Sequence, residues 1–429
     1  MLEEAKKKIL IYAHYYAPDV ASTGQILQDL AEGLLEKFDV TVICTVPSYT
    51  GKISEEFKEK KYYKENINGV HVIRISVPEF DKTSRISRIK NLVAYYCRAR
   101  YITRKVAPQD FVLAISQPPI LGGMLGVYGK RILRTTSGRH PKFIYNIQDF
   151  NPEQIEAVGY IRIKLLINIA QWMDNRTCRK SDLIITVGRD LVETLKKRFK
   201  GTKIPNHMMI NNWADESVLS PLESDNPNVM IFKNKYDLID KFVFMYSGNI
   251  GLYYDFEGLI RVIEKFKNVR TKDGRIVVFA FVGDGAMLSY LMEYKKIKQL
   301  DNTIFIPHQD KNRLVYSLNA ADVHWCVSAK GIKGISCPSK FYGIASVAKP
   351  ILGVLEDGSE IEMLITDIDC GVVSEPGDYK TIEQNIRWFI DNAENTELAA
   401  MGMRGHDFFV SHLSKNASIS KYIHAISKL

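Results

Sequence analysis

The sequence predicts an α/β protein made of two doubly wound, Rossmann-like domains facing each other across a cleft. Three observations predict it. Short β-branched and aromatic runs alternate with helical segments along nearly the whole chain. The alternation breaks once, over residues 211–240, where Pro, Asn, Asp and Ser accumulate. A second alternating series then begins, and 429 residues suit two such domains.

The first series opens with the strand Lys8 to Ala13, a loop containing Pro18, Ser22 and Gly24, and a helix that places Ile26, Leu27, Leu30, Ala31 and Leu34 on one face. Further strands are predicted at Asp39–Thr45, Gly69–Ile75, Phe111–Ile115, Lys142–Asn146 and Asp182–Thr186. The second series has strands at Phe242–Tyr246, Arg275–Val282, Thr303–Ile306, Val323–Val327, Pro350–Val354 and Gly371–Val373. Alternation of this kind implies parallel sheets covered on both faces, with sites at the carboxyl ends of the strands and in the cleft between domains. The reading divides the chain into a first domain over 1–210, a linker over 211–240, a second domain over 241–405 and a C-terminal helix over 406–429 that crosses back to the first domain.

Composition excludes several classes. With 46% hydrophobic and 25% charged residues the chain is globular. A mean hydropathy of -0.13 and the lack of an apolar run near 20 residues argue against a spanning helix. The uncharged stretch Phe111 to Gly129 comes nearest, but its prolines, glycines, Ser116 and Gln117 read as a buried strand followed by a loop. The charged N-terminus leads into only a short apolar run, unlike a signal peptide, so a cytoplasmic protein is expected. Six scattered cysteines form neither a disulfide framework nor a zinc motif, and no metal is expected.

Charge is unevenly spread. Residues 1–205 hold 34 Lys and Arg against 21 Asp and Glu, whereas the remainder hold 24 against 28. A basic first half suits an anionic counterpart: phosphate, lipid headgroup or nucleic acid. The plainer reading is a set of solvated helix faces. From Lys82 to Lys105 there are eight basic residues, Arg85, Arg88, Lys90, Arg98 and Arg100 among them, interleaved at helical spacing with Ile86, Ile89, Leu92, Val93, Tyr96 and Ile102. A basic amphipathic helix of this kind fits an anionic leaflet, and Lys130, Arg131, Arg134, Arg139, Arg162 and Lys164 could extend the face. Alternatively the helix buries its apolar side on the sheet. No nucleic-acid module is recognisable.

Two strand–glycine–helix turns occur in the second domain, Ser247-Gly248-Asn249-Ile250-Gly251 and Gly283-Asp284-Gly285, the latter with Asp284 at an N-cap position. Such turns let backbone amides approach an anion, and two in one domain favour a nucleotide-sized ligand over tight turns alone. Neither matches the dinucleotide fingerprint, and no Walker A sequence is present. Pro338-Ser339-Lys340 starts an apolar helix, where a hydroxyl, an ammonium and the helix dipole together make a diphosphate site, unless Ser339 merely caps the helix. In the first domain Thr23-Gly24 occupies the first strand-to-helix turn. Asp149 and Glu153 follow a strand, where a carboxylate could orient or deprotonate an attacking hydroxyl, helix capping by Asp149 being the competing reading. His14, at a strand end, reads as structural.

Taken together, Tyr16-Ala-Pro-Asp-Val-Ala-Ser-Thr-Gly-Gln25, the element from Gln148-Asp149 to Pro152-Glu153, the turn 246–251, Val282-Gly-Asp-Gly285 and Pro338-Ser-Lys-Phe-Tyr-Gly-Ile344 resemble family 4 of the retaining GT-B glycosyltransferases. The resemblance spans nearly the whole chain and looks closest to bacterial enzymes that add amino sugars such as N-acetyl-L-fucosamine during O-antigen or capsule assembly. It implies the GT-B fold, a UDP-sugar donor on the second domain, an acceptor on the first, retention of configuration, and no cofactor or metal. By the same resemblance Thr23 and Gly24 lie near the donor phosphate and sugar. Ser247, Gly248, Asn249, Gly251, Gly283, Asp284, Gly285, Pro338, Ser339, Lys340 and Tyr342 frame the donor, and the turn at Ile306-Pro307-His308 meets the base. The sequence departs from the family at four positions. Ile335 and Gly343 stand where many members have two glutamates, and Asn249 and Tyr254 stand where many have Arg and Lys.

The expectation is therefore a metal-independent glycosyltransferase, peripheral at the inner membrane face, that transfers an N-acetylated or deoxy sugar to a polyprenyl-diphosphate-linked acceptor, with Asp149, Glu153 and Lys340 as its catalytic residues. The alternatives are a UDP-sugar 2-epimerase, recognisable by turnover without an acceptor, and a non-catalytic protein that binds lipid or nucleic acid.

Overall fold

The structure, a computed structural model, describes residues 6–19, 22–81, 84–157, 163–252 and 254–429, and of Ser22 only the backbone. It divides into two compact units, Met1–Asn211 with Ser418–Leu429, and Asn212–Ala417.

The first unit is built on an eight-stranded sheet. Its strands are β1 (Lys7–Tyr12), β2 (Phe38–Thr45), β3 (Tyr62–Ile67), β4 (Val70–Ile75), β5 (Phe111–Ile115), β6 (Lys142–Ile147), β7 (Leu183–Thr186) and β8 (His207–Met209). They lie in the order β3-β4-β2-β1-β5-β6-β7-β8, and every pair is parallel except β3 with β4. Central strands are buried on both faces: Ile9, Leu10 and Ile11 of β1 are wholly inaccessible, which is why the sequence reads there as continuous apolar residues instead of alternating ones.

Two strands of this sheet escape the sequence reading. β3 is a largely exposed edge strand, and Asn68-Gly69 is the hairpin turn that joins it to β4, not the start of a strand. Both residues have positive φ, at 50° and 92°, as a tight hairpin turn requires. β8 is only three residues long. The stretch after β5 is also more ordered than expected, because its loop ends at Ile120 and a helix runs Leu121–Ile132. Among the described residues no helix is long and apolar enough to cross a membrane.

In the second unit β9 (Lys241–Ser247), β10 (Ile276–Val282), β11 (Thr303–Ile306), β12 (Val323–Val327), β13 (Ile351–Val354) and β14 (Gly371–Ser374) form a parallel sheet ordered β11-β10-β9-β12-β13-β14. Its core is aromatic, with Phe244 stacked on Phe279 at 5.1 Å between centroids and Trp325 edge-on to Phe279.

Residues 211–240 are packed, which departs from their reading as a linker. Leu219 is buried with Leu318 and Val347. A helix spans Pro227–Lys235, started by Pro227 and capped by Asn226, whose side-chain oxygen accepts from Asn228 and Val229 N–H. It seats Val229 and Phe232 beside Val243 and Val278. The Pro and Asn that look like connector residues are here a helix start. At the far end the passage from the second unit to the first falls between residues 417 and 418, inside the Lys415–Ser427 helix, rather than at 405–406. Lys415 N–H donates to Ala214 O and Glu216 Oε2 in the second unit, while Tyr422 is buried in the first and accepts from Asn146.

Candidate active site

In the second unit the carboxyl ends of β9 and β10 lie in register, Ser247 opposite Val282, so their two glycine turns are neighbours. The turns are sewn together by backbone bonds. Gly248 N–H donates to Val282 O at 2.8 Å, Ile250 N–H to Asp284 O at 2.8 Å, and Gly283 N–H to Ile306 O at 3.0 Å. A Cβ at Gly283, where φ is 138°, would stand 2.1 Å from Gly248 O. That glycine is therefore needed for the turns to pack. Asp284 is not a helix cap: its Oδ1 accepts from Gly285 N–H at 2.7 Å, and the next helix starts only at Leu288 after Met287. The amides of Gly248, Gly283 and Gly285 are thus engaged within the protein, which corrects the expectation that they face an anion. Gly251 is buried, and Asn249 is exposed beside it.

The cation comes from another element. Lys340 opens the helix Lys340–Ser346 and extends its stem across Gly248, where a Cβ would meet Lys340 Cε at 2.7 Å. Its ammonium donates to the Tyr254 phenol at 3.2 Å and sits 4.4 Å from the Tyr254 ring centroid and 5.0 Å from that of Tyr246. Both distances suit cation–π attraction. Tyr246 in turn donates to Asn249 O at 2.7 Å, and burial holds its phenol well above the ordinary range, so it remains a neutral donor. Ser339 is exposed and makes no capping hydrogen bond, while Pro338 is partly buried beside it. An ammonium and a phenol meet at the carboxyl end of a parallel sheet, with the exposed Ser339 hydroxyl on the residue before Lys340, a combination suited to an anionic ligand.

Three donor-side expectations change. Tyr342 is fully buried in the core with Phe341, Phe409 and Leu413, so it packs the helix and is not offered to a ligand. Ile306 is likewise buried, with its carbonyl committed to Gly283, whereas Pro307 is exposed. Tyr254, noted in the sequence only as a departure, proves to be the partner of Lys340. Eighty-six residues separate the two, and no local pattern signals their meeting.

In the first unit a side-chain chain links three strand ends. Thr23 Oγ1 donates to Gln117 Oε1 at 3.1 Å, and Gln117 Nε2 donates to Asp149 Oδ2 at 3.3 Å. Asp149 N–H is itself held by Ser116 Oγ at 3.2 Å. The sequence brings these residues together because β1, β5 and β6 are adjacent and end on the same side. Thr23 and Gly24 lie inside the first turn of the Ser22–Leu34 helix, which begins earlier than the loop reading of Ser22 and Gly24 placed it.

Glu153 belongs to a different structure. Arg198 pairs with it, donating to Oε1 at 2.8 Å and also to Oε2, and Gln171 donates to Oε1 at 3.0 Å. The same guanidinium bonds Asp174 at 2.5 Å, and Asp174 accepts from Tyr145 at 2.7 Å. Burial alone would lower the Arg198 pKa, but the Glu153 and Asp174 carboxylates hold it above its ordinary value. Glu153 is thus committed to the Arg198 ion pair, whereas Asp149 belongs to the Thr23–Gln117 chain.

The basic helix is only partly as expected. It spans Arg85–Thr103, and Arg85, Arg88 and Lys90 are exposed. Arg98 turns inward to Ser76 O, and Arg100 stacks over Tyr128 at 4.5 Å. Lys82 and Arg162 of the extended basic set lie outside the described residues.

No family model matches the chain. It is 24% identical over 358 residues to WbjE of Pseudomonas aeruginosa, named a probable glycosyltransferase, covering 82% of this chain and 83% of that one. It is 23% identical over 390 residues to WcaI of Escherichia coli K12, whose name places it as a glycosyl transferase in colanic acid biosynthesis, covering 89% and 91%. Among solved structures, sucrose-phosphate synthase from Thermosynechococcus elongatus superposes with a TM-score of 0.75 at 12% identity, over 99% of both chains. Anabaena Alr3699/HepE in complex with UDP-glucose does so with 0.70 at 13%, over 98% and 100%. With two Rossmann-like units of parallel sheet and these structural neighbours, the chain has the GT-B fold, and along more than four-fifths of its length it is similar to curated glycosyltransferases.

Proposed function

We propose that this chain is a retaining glycosyltransferase, of the family 4 kind, that moves an N-acetylated or deoxy sugar from a UDP-sugar to a polyprenyl-diphosphate-linked saccharide at the inner face of the cytoplasmic membrane. The observation that carries the reading is Lys340 drawn across Gly248 to Tyr254, a cation fixed at the carboxyl ends of β9 and β10. Support for UDP comes from HepE, which was solved with UDP-glucose. Support for a polysaccharide product comes from the likeness to WcaI.

In this reading the bond between the sugar anomeric carbon and the diphosphate oxygen breaks with the electron pair leaving on oxygen. Lys340 and the Ser339 hydroxyl stabilise that charge as it develops. The acceptor hydroxyl attacks the same face, its oxygen bonds the anomeric carbon, and its proton passes to the departing diphosphate. Asp149, held by Gln117 and Ser116, orients the hydroxyl, and no metal is needed.

The test is a panel of UDP- and GDP-sugars screened by thermal shift and turnover with EDTA present, since a ligand at 100 times its dissociation constant stabilises by about 2.7 kcal/mol. Stabilisation by a UDP-sugar, and acceptor-dependent transfer with the anomeric configuration kept in the product's NMR spectrum, are expected. A chain that binds and turns over no nucleotide-sugar is not this enzyme.

A further inference from the structure

One helical layer of the first unit has an unusual outer surface. The helices Arg85–Thr103, Leu121–Ile132 and Lys164–Lys180 each connect a strand to a parallel strand further along the sheet towards β8, so right-handed crossovers put all three on one face. The first packs on the second and the second on the third. Together they carry eleven Lys and Arg and a single acid, Asp174, which is buried against Arg198. Because they run antiparallel to the strands, their N-terminal ends lie at the carboxyl edge of the sheet, the edge that holds Thr23, Gln117 and Asp149.

The third helix leaves its apolar side in solvent. Leu165, Leu166, Ile169 and Trp172 are 67%, 48%, 46% and 59% exposed, and at 3.6 residues per turn they span about 120° of arc. The same stripe continues as Arg176, Arg179 and Lys180, all exposed, with the Arg176 guanidinium 6.0 Å over the Trp172 ring. The opposite side, Asp174, Thr177 and Cys178, is buried. The first helix repeats the pattern near its own N-terminus, where Ile86, Ile89 and Val93 are exposed among or just after Arg85, Arg88 and Lys90.

We propose that the outer face of the Lys164–Lys180 helix, Leu165, Leu166, Ile169 and Trp172 followed by Arg176 and Arg179, inserts into the acyl boundary of an anionic lipid leaflet. The inference rests on the proposed lipid-linked acceptor and goes beyond it by naming the element that enters the membrane. Apolar residues at the sheet's carboxyl edge enter the leaflet, cations on the next turns meet the headgroups, and Trp172 takes the interfacial position such rings prefer. Charge decides the occupant. A second copy would bring the same basic face against itself, whereas an anionic surface is complementary, each cation contributing attraction near the headgroups. Asp149 then lies at the edge from which a sugar on a membrane-held polyprenyl diphosphate would be presented.

The test uses the full chain with vesicles of phosphatidylglycerol and phosphatidylethanolamine, and with phosphatidylcholine as the neutral control. Trp172 is the exposed tryptophan; Trp213 and Trp325 are buried and Trp388 is partly so. Cofloatation with anionic vesicles, a blue shift of tryptophan emission and its quenching by brominated acyl chains are expected. The variant Leu165→Ser/Leu166→Ser/Ile169→Ser keeps Trp172 and should lower the partition coefficient roughly tenfold or more. Its affinity for the donor nucleotide should be unchanged. Wild-type vesicle binding by the variant, an unshifted emission, or a wild-type dimer that the variant dissolves would each overturn the proposal. Loss of nucleotide-sugar binding in the wild-type protein would instead count against the enzyme reading and leave the vesicle result to stand on its own.

Discussion

Lys340 donates to the Tyr254 phenol at 3.2 Å, a contact between the start of a short helix and the loop after β9 that holds an otherwise long, freely rotating side chain in one place. Fixing the ammonium before a ligand arrives removes part of the ordering cost of binding. Lys340→Met should weaken UDP binding roughly ten- to hundredfold, the range of a charge-assisted hydrogen bond. Tyr254→Phe should weaken it only a few-fold, because the cation stays but loses its tether. Calorimetric titration with UDP distinguishes the two, and equal losses would mean that the phenol itself contacts the ligand.

The glycines around Lys340 separate fold from function. At Gly283 an added Cβ meets a backbone carbonyl at 2.1 Å and neither turn can yield, so Gly283→Ala should cost on the order of 3 kcal/mol or more of stability. At Gly248 the atom it meets is Lys340 Cε, part of a movable side chain. With φ at 143°, Gly248→Ala still carries backbone strain of about 1–3 kcal/mol. Its larger effect should fall on UDP affinity, because Lys340 is displaced. Denaturation midpoints and UDP titrations of both variants give the comparison, and the idea fails if Gly248→Ala leaves UDP affinity intact.

The fold was legible in the sequence where burial on two faces turns a strand into an unbroken apolar run, as at Ile9 to Ile11 or Phe242 to Tyr246. It was not legible where that signal is missing. β3 exposes three of its six side chains and β8 is too short to carry a period, and the Asn68-Gly69 pair, which suits a hairpin turn, reads at Gly69 as the start of a strand. The helix Pro227–Lys235 was hidden because its start signals, Asn226 and Pro227, are also loop residues. At the site, Lys340 and Asp149 were visible as polar residues at strand ends or helix starts. Tyr254, Gln117 and Arg198 were not, since each acquires its role from a partner between 32 and 86 residues away.

Asp149 and Glu153, four residues apart, should respond oppositely to neutralisation. Asp149→Asn keeps the bond from Gln117 but removes the charge that the proposed mechanism uses to orient the acceptor, so turnover should fall by about 10²-fold or more while UDP affinity holds. Glu153→Gln should leave turnover within a few-fold of normal. Arg198→Met strands Asp174 and Glu153 without their cation and should destabilise by about 3–5 kcal/mol. Equal catalytic loss in the two carboxylate variants would return Glu153 to the reaction.

Two buried histidines, one in each unit, should make stability fall in mild acid. Burial lowers His14 in the first unit and His324 in the second to about 4 from the ordinary 6.5, and His324 Nε2 lies 2.8 Å from Leu318 O as a neutral donor would. Above pH 6.5 the ring is neutral in folded and unfolded chains alike, so this stabilisation is complete. As the pH falls from 6.5 towards 4 only the unfolded chain takes up the proton, and stability drops by about 1.4 kcal/mol per pH unit per histidine, about 3 kcal/mol each over the window. Below 4 the folded ring also protonates and this contribution to the slope vanishes. His324→Gln keeps a donor for Leu318 but cannot titrate. Its unfolding free energy, followed by denaturant titration between pH 7 and 4.5, should therefore fall less steeply than that of the wild type by close to one proton. Parallel slopes would mean that the imidazole is already charged within the fold.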